Sequence, residues 1–140
     1  WIYLDKIRDP GNLGTILRSA LWFGFKNIIL SSKSVDPYNP KAIRSGMGSH
    51  FGLNLYQNII LNDFIKTHQI VSGSTCGEDI SGFKLPERYV LVLGNEAHGI
   101  SKNIEPLIQK SVSIKRLGEG ESLNLSSAAS ILMYSLTRKR

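Results

Sequence analysis

Six short apolar runs alternate along the chain with segments of helical character, and this alternation restricts the fold more than any other feature. The apolar runs are nearly continuous, which is typical of strands covered on both faces. The predicted strands span residues 1–4, 27–30, 53–56, 69–72, 89–93 and 111–114. The predicted helical segments span residues 11–23, 40–47, 61–67, 103–109 and 124–137. The pattern predicts one α/β domain with a mostly parallel sheet and helices on both faces.

Composition excludes several classes of protein. A length of 140 residues with 41% hydrophobic and 20% charged residues is ordinary for one globular domain. No apolar run approaches the roughly 20 residues of a membrane helix, and we expect no signal peptide. Cys76 is the single cysteine, so we expect no disulfide framework and a reducing, cytoplasmic location. The formal charge of +6 favours an anionic partner such as nucleic acid.

The loop after the first predicted strand leads into a helix with strong start signals. Asp9 is the predicted N-cap, and Pro10 suits the first helical position. Asn12 would project at the helix N-terminus, with Arg18 about one and a half turns later near the same face. This arrangement suits a phosphate-bearing substrate, because the terminal N–H groups attract anions, but it is equally typical of a well-capped helix with a solvated arginine. It matches neither a Walker loop nor the dinucleotide fingerprint.

A second unusual loop follows the most apolar strand. Gly94 and Gly99 are predicted to bracket a tight turn. The polar residues between them are Asn95, Glu96 and His98. A carboxylate here could orient a substrate, accept a proton or face a cationic ligand, and the alternative is ordinary turn chemistry. The spacing of the three histidines does not fit a metal centre, so no metal site is predicted.

A third loop, residues 116–127, is glycine-rich and runs into the last predicted helix. Its hydroxyl and amide side chains are Ser122, Asn124, Ser126 and Ser127. One of them is needed as an N-cap, and the surplus indicates a binding surface. A fourth segment, residues 72–77, follows a predicted strand and lacks bulky groups, so its backbone could line a ligand pocket. Cys76 within it has no histidine partner in the pattern and is not predicted to be a nucleophile.

Taken in order, the first three loops resemble the three motifs of the SpoU (TrmH) family of RNA ribose 2′-O-methyltransferases, in the SPOUT superfamily. The motifs are Asp9–Gly14 with Arg18, then Gly94–Gly99, then Ser122–Ser126. The resemblance implies a C-terminal deep trefoil knot, which is an exception to the rule that chains avoid knots. It also implies S-adenosylmethionine as cofactor, an RNA substrate (tRNA or rRNA), a homodimer with its site near the subunit interface, and no metal.

The resemblance further implies which residues act. The implied catalytic residues are Asn12, Arg18, Glu96, Ser122 and Asn124. The implied cofactor-binding residues are Ser72, Gly73, Ser74, Thr75, Leu93, Gly94, Asn95, Glu96, Gly99, Ile114, Leu123, Asn124 and Ser126. In the family the arginine matching Arg18 is proposed as general base. Because a guanidinium is almost never deprotonated, we expect Arg18 to hold an RNA phosphate and to lower the pKa of the 2′-hydroxyl. Asn12 would orient the ribose or Arg18.

Residues 1–140 are therefore expected to form a SpoU-type methyltransferase catalytic domain. The sequence begins at Trp1 inside the first apolar run, so we expect an N-terminal RNA-recognition domain to be absent from this chain. The alternative function is a non-catalytic RNA- or nucleotide-binding module of the same fold. A different α/β phosphate-binding enzyme is less favoured, because neither phosphate-binding fingerprint is present.

Overall fold

Six strands form one sheet, and every pairing between them is parallel. The strands of this computed structural model, which describes residues 1–139, are β1 (Ile2–Leu4), β2 (Asn27–Leu30), β3 (Asn54–Gln57), β4 (Gln69–Asp79), β5 (Tyr89–Leu93) and β6 (Lys110–Ser113). Their spatial order is β3-β2-β1-β5-β4-β6. The predicted mostly parallel α/β architecture is confirmed, whereas the C-terminal knot stays a prediction.

The three α-helices of the described residues pack on one face of this sheet. They are α1 (Pro10–Trp22), α2 (Pro40–Gly46) and α3 (Leu125–Thr137). Their apolar side chains join Ile2, Leu4 and Leu91 in one buried cluster. The side chains that alternate with these, such as Tyr3 and Val90, point to the opposite face and form a second cluster. None of the helices in the described part of the chain is long and apolar enough to cross a membrane.

The start of α1 follows the predicted signals. The Asp9 side chain accepts a hydrogen bond from the backbone N–H of Asn12 at 2.7 Å, and Pro10 occupies the first turn. Gly14 then lets α1 approach α2 closely, because a Cβ on Gly14 would lie 2.3 Å from the carbonyl oxygen of Ala42. These contacts fix the N-terminus of α1, and with it Asn12, at the edge of the sheet.

The second face is covered by short 3₁₀ turns where longer helices were expected. Leu61–Phe64 replaces the predicted helix 61–67, and Glu105–Leu107 replaces the predicted helix 103–109. The first segment fully buries only one side chain, which is too small an apolar face to stabilise an isolated helix. In the second, Pro106 lacks the N–H that a longer helix would need.

Two strands also differ from the prediction. β4 continues to Asp79, so the segment 72–77 is an extended strand with a register shift between Gly73 and Glu78 rather than a loop after the strand. The local shift keeps the chain beside β6, as a bulge does. β3 lies at the edge of the sheet and is mostly exposed, whereas its apolar run had indicated burial on both faces.

Candidate active site

A cavity of about 730 Å³ lies at the carboxyl edge of the sheet, where ligands bind in open parallel sheets. Its walls come from the N-terminus of α1, the bulged part of β4, the loop after β5 and the start of α3. The implied site residues that line it are Asn12, Ser72, Gly73, Ser74, Thr75, Gly94, Asn95, Glu96, Gly99, Ser122, Leu123 and Asn124. The fold therefore brings most of the residues of the three motifs to one cavity.

A chain of side-chain hydrogen bonds joins the three motifs across this cavity. The Asn124 Nδ2 donates to Asn12 Oδ1 at 3.0 Å, and the Asn12 Nδ2 donates to Glu96 Oε1 at 3.2 Å. Asn12 is held by the first turn of α1, Asn124 by the start of α3, and Glu96 by the loop after β5. The central amide thus uses its acceptor toward one neighbour and its donor toward the other.

The loop after β5 is a tight turn, as predicted. Asn95 and Gly99 exchange two backbone hydrogen bonds of 2.8 and 2.9 Å, and Gly99 has a φ of +67°. A Cβ on Gly94 would lie 2.4 Å from the carbonyl carbon of Gly99, so only glycine at position 94 allows the two sides of the turn to approach this closely. The Asn95 Oδ1 accepts from the N–H groups of Ala97 and His98 at 2.9 and 3.0 Å, which rigidifies the turn around Glu96.

The start of α3 is capped by Asn124. Its Oδ1 accepts from the backbone N–H of Ser126 at 2.8 Å, from the Ser126 hydroxyl at 2.6 Å and from the N–H of Ser127 at 3.4 Å. The same side chain donates toward Asn12 with its Nδ2. One residue therefore caps the helix and belongs to the site, and Ser122 remains free to face the cavity.

An apolar slot of about 150 Å³ adjoins the polar cavity. The two share Gly73, Ser74 and Thr75 along one wall and Ser122 and Leu123 along another. The side chains that make the slot apolar are Leu93, Val112, Ile114, Leu125 and Leu132. A site with an apolar slot beside a polar cavity suits a ligand that combines an aromatic ring with polar and charged groups.

Residues 1–134 match the SpoU rRNA Methylase family. The chain belongs to this family. A SpoU-family relative is the 23S rRNA (guanosine(2553)-2′-O)-methyltransferase RlmP of Bacillus subtilis, which is 31% identical over 140 residues, covering 96% of this chain and 56% of that protein. The chain spans about half the length of the curated relatives that it matches.

Solved structures show the same SpoU fold. The SpoU methyltransferase AviRb of Streptomyces viridochromogenes, in complex with AdoMet, has a TM-score of 0.91 and 29% identity and covers 99% of this chain and 56% of its own. The AdoMet-bound rRNA methyltransferase of Sinorhizobium meliloti has a TM-score of 0.88 and 32% identity, with coverage of 98% and 55%. Two structures of methyltransferases with bound AdoMet (S-adenosylmethionine) thus superpose on nearly the whole chain.

Leu93 and Ile114 line the apolar slot rather than the polar cavity, and two further implied residues of this SpoU-family chain line neither. Ser126 shares in the cap, where its N–H and its hydroxyl both donate to Asn124. Arg18 is exposed on α1 and forms no hydrogen bond or ion pair with another described residue. It does not share a face with Asn12, because six residues at about 100° each place the two side chains about 120° apart around the helix. The role of Arg18 stays a prediction.

Sequence reasoning missed several lining residues of the SpoU-family site. They are Ile100, Glu105, Ile108, Ser111, Leu125 and Ala128. Ser111 faces the cavity because β6 pairs with β4, where its hydroxyl lies 2.8 Å from that of Ser72. No local pattern indicates that pairing. Among the described residues no group of three or more His, Cys, Asp or Glu side chains is arranged to hold a metal ion.

At the N-terminus of α1 the Asp9 carboxylate lies beside the ammonium group of Lys41. The hydrogen bond from the Asn12 backbone N–H is the main cause that lowers the pKa of Asp9, and the Lys41 ammonium adds to it. The Lys41 Nζ lies 3.3 Å from Asp9 Oδ2, with both side chains substantially exposed. The ionised Asp9 therefore holds the first turn from which Asn12 projects.

Proposed function

We propose that this chain transfers a methyl group from S-adenosylmethionine to a ribose 2′-hydroxyl of tRNA or rRNA. The observation that carries the proposal is the hydrogen-bond chain from Asn124 through Asn12 to Glu96, which joins three motifs distant in sequence at one cavity. The proposal is supported by relatives named as rRNA 2′-O-methyltransferases and by AdoMet-bound structures with the same fold.

The donor set of the site fits this cofactor. The apolar slot with Leu93, Ile114 and Leu132 suits an adenine ring. The hydroxyls of Ser74 and Thr75, on the wall shared with the polar cavity, suit ribose and amino-acid groups. When bound, the cofactor supplies an electrophilic methyl group on a sulfonium ion. The chain's own residues must then hold the RNA ribose in line with that methyl group and keep it there.

The residues around the polar cavity divide this task. Asn12 and Asn124 fix each other's amides and would orient the ribose, and Glu96 presents carboxylate oxygens beside them. The hydroxyl must lose its proton as it attacks, because an alcohol is a poor nucleophile. Arg18 lies outside the cavity on the exposed surface of α1, where its permanent charge would hold an adjacent RNA phosphate and lower the pKa of the hydroxyl, so that its proton leaves more readily. Ser122 would complete the pocket wall.

We also propose that residues 1–140 act as the catalytic domain of a cytoplasmic homodimer. The adjacent helices α1 and α3, joined by the Ser19–Ser130 hydroxyl contact of 2.7 Å, carry exposed apolar side chains. These are Trp22, Ile131 and Tyr134, of which Trp22 is 84% exposed. A second copy that covers them would remove apolar area from water. A reducing cytoplasm also suits the exposed thiol of Cys76.

Two measurements test the proposed activity. Isothermal calorimetry with S-adenosylmethionine is expected to show saturable binding, and incubation with methyl-labelled cofactor and unmodified tRNA or rRNA is expected to label a ribose 2′-oxygen. Glu96→Gln should lower the rate of transfer by at least about tenfold, whereas Glu87→Gln, remote from the cavity, should not. No binding at millimolar cofactor would overturn the proposal and favour the non-catalytic module. A label found on a base would overturn the ribose assignment.

A further inference from the structure

Asp5 is a buried carboxylate that none of the proposed steps uses. It follows β1 directly and is 1% exposed. Within the described chain no Lys, Arg or His forms an ion pair with it. Its partners are hydroxyl and amide donors instead: the Ser31 hydroxyl donates to Oδ1 at 3.2 Å, and the Ser101 backbone N–H donates to Oδ2 at 2.7 Å. The Ser101 hydroxyl also donates to Oδ2. A buried carboxylate is retained only where such donors compensate its lost hydration.

Ser101 ends the loop that runs from Asn95 to Ser101, and the residue after Asp5, Lys6, binds the beginning of that loop. Its backbone carbonyl accepts from Asn95 Nδ2 at 2.8 Å, and its N–H donates to the Ser31 hydroxyl at 2.8 Å. Lys6 adopts a left-handed φ of +54°, which is unfavourable for a residue with a Cβ. The contacts of Asn95 and Ser31 with its backbone therefore oppose that local preference.

Two successive residues after β1 thus form hydrogen bonds with both ends of the loop from Asn95 to Ser101. Asp5 binds Ser101 at the far end, Lys6 binds Asn95 at the near end, and the Asn95–Gly99 pair closes the turn between them. Glu96 lies inside this closed turn and reaches Asn12. Asp5 itself does not line the cavity. The hydrogen bonds of its carboxylate with Ser101 connect it to the cavity through the loop that carries Glu96.

We infer that Asp5 is a positioning residue of the methyl-transfer site, which holds the loop 95–101 so that the Glu96 carboxylate meets Asn12. The expected effect on methyl transfer rests on the proposed function. The claim that Asp5 holds the loop 95–101 does not depend on it. The apolar slot is lined by residues of β4, β6 and α3 and by the end of β5, and none of these residues forms a hydrogen bond with the Asp5 carboxylate among the described residues. Loss of Asp5 should consequently reduce turnover more than cofactor affinity.

The kinetic test compares Asp5→Ala with Asp5→Asn. Alanine removes every acceptor, whereas asparagine can still present one carbonyl oxygen to both donors of Ser101. Asp5→Ala should lower kcat by at least about tenfold and change the Kd of S-adenosylmethionine by less than about threefold, and Asp5→Asn should recover most of kcat. Asp79→Ala is the matched control, because Asp79 also accepts a backbone N–H, from Ser81 at 2.8 Å, outside the cavity. Wild-type kcat in Asp5→Ala overturns the inference.

A double-variant cycle tests the route through Glu96. If Asp5 acts by placing Glu96, then Asp5→Ala in a Glu96→Gln background should cost less than about threefold beyond Glu96→Gln alone. If the kcat loss of the double variant equals the product of the two single-variant losses, Asp5 does not act through Glu96 and the inference is overturned. Should Asp5→Ala fail to fold, Ser101→Ala replaces it, since it removes only the hydroxyl donor to Asp5.

Hydrogen exchange tests the loop without any activity. In Asp5→Ala the amides of Gly99 and Ser101 should exchange at least about tenfold faster, while the amide of Ile29 in β2 keeps its wild-type rate. Unchanged exchange at Gly99 and Ser101 overturns the inference even if the chain is an active enzyme. Faster exchange supports it even if the wild-type chain methylates no RNA, in which case only the proposed function has failed.

Discussion

Asn124 and Asn12 are 112 positions apart in the sequence, yet the side-chain amide of Asn124 donates to the amide oxygen of Asn12 over 3.0 Å. The contact ties the start of the last helix to the start of the first. The Asn12 side-chain amide in turn donates a hydrogen bond to Glu96, over 3.2 Å. Because each amide has a separate donor and acceptor, the direction of both hydrogen bonds is determined by the neighbours.

Asn12→Asp should break one of these two hydrogen bonds and keep the other. The new carboxylate still accepts from Asn124, but it has no hydrogen to donate to Glu96 and faces that carboxylate as a like charge. We expect kcat for methyl transfer to fall by about 100-fold at neutral pH. Steady-state rates of the variant and the wild type check this.

The control for this variant is a second amide pair at the far edge of the sheet. There the Asn54 Nδ2 donates to Asn27 Oδ1 at 2.9 Å, with no carboxylate among the partners of the pair. Asn27→Asp should leave kcat within about twofold of wild type. A wild-type rate in Asn12→Asp, or an equal loss in Asn27→Asp, would contradict the assigned role of the Asn12 amide.

Gly94→Ala should damage both stability and cofactor binding. The added Cβ would lie 2.4 Å from the carbonyl carbon of Gly99, and backbone atoms there cannot move aside as a flexible side chain can. Overpacking of this kind typically costs about 1–3 kcal/mol in the free energy of unfolding. We expect such a loss in urea denaturation, together with a weaker Kd for S-adenosylmethionine by calorimetry, because Gly94 itself lines both the cavity and the apolar slot that suits the adenine ring.

Gly82→Ala is the matched glycine control. The nearest atom to its added Cβ is the Asp79 carbonyl oxygen at 3.9 Å, an ordinary contact, and Gly82 lies outside the cavity. Its stability should stay within about 1 kcal/mol of wild type. Equal stability losses in the two variants would show that the close approach of Gly94 to Gly99 does not limit the fold.

Features set by neighbouring residues were predictable from the sequence. β2 and β5 have the predicted bounds, and the cap at Asp9 and the turn between Gly94 and Gly99 form as expected. Each of these depends on an apolar run, a capping side chain or a glycine within a few positions. The three motifs also predicted the family to which the chain belongs.

Features set by distant partners were not predictable in the same way. The continuation of β4 to Asp79 depends on its pairing with β6, and the placement of Ser111 in the cavity depends on the same register. The buried Asp5 carboxylate accepts a hydrogen bond from Ser101, which lies 96 positions later. Nothing near Asp5 in the sequence indicates that partner. The strand order and the contacts between loops are products of packing over the whole chain.

Asp9 should make the stability of the chain depend on pH. Its pKa is lowered mainly by the hydrogen bond from the Asn12 N–H, so the folded state binds a proton less readily than the unfolded chain. The stabilisation is complete above the pKa of an unfolded aspartate, about 4, and is lost as the pH falls through the lower folded pKa. Asp9→Asn keeps a capping oxygen but cannot ionise.

Urea denaturation at neutral pH and below about pH 4 measures this effect. Wild type should exceed Asp9→Asn in free energy of unfolding at neutral pH, because only the carboxylate pairs with Lys41 and favours the helix N-terminus. The difference should shrink on acidification. A difference that grows as the pH falls would contradict the lowered pKa.

Arg18→Ala tests the proposed separation of cofactor binding from methyl transfer. Arg18 is exposed and lies outside the cavity, so its loss should leave the Kd of S-adenosylmethionine within about twofold of wild type. If its charge holds an RNA phosphate and lowers the pKa of the 2′-hydroxyl, kcat should fall by at least about 100-fold. Arg18→Lys should recover part of the rate, since it keeps the charge without the two-pronged geometry.

Arg44→Ala, which removes another exposed arginine outside the cavity, is the matched control and should remain near wild type. Wild-type transfer by Arg18→Ala would show that no step depends on this guanidinium, and the hydroxyl would then have to be activated by groups at the cavity itself, with Glu96 the first to test.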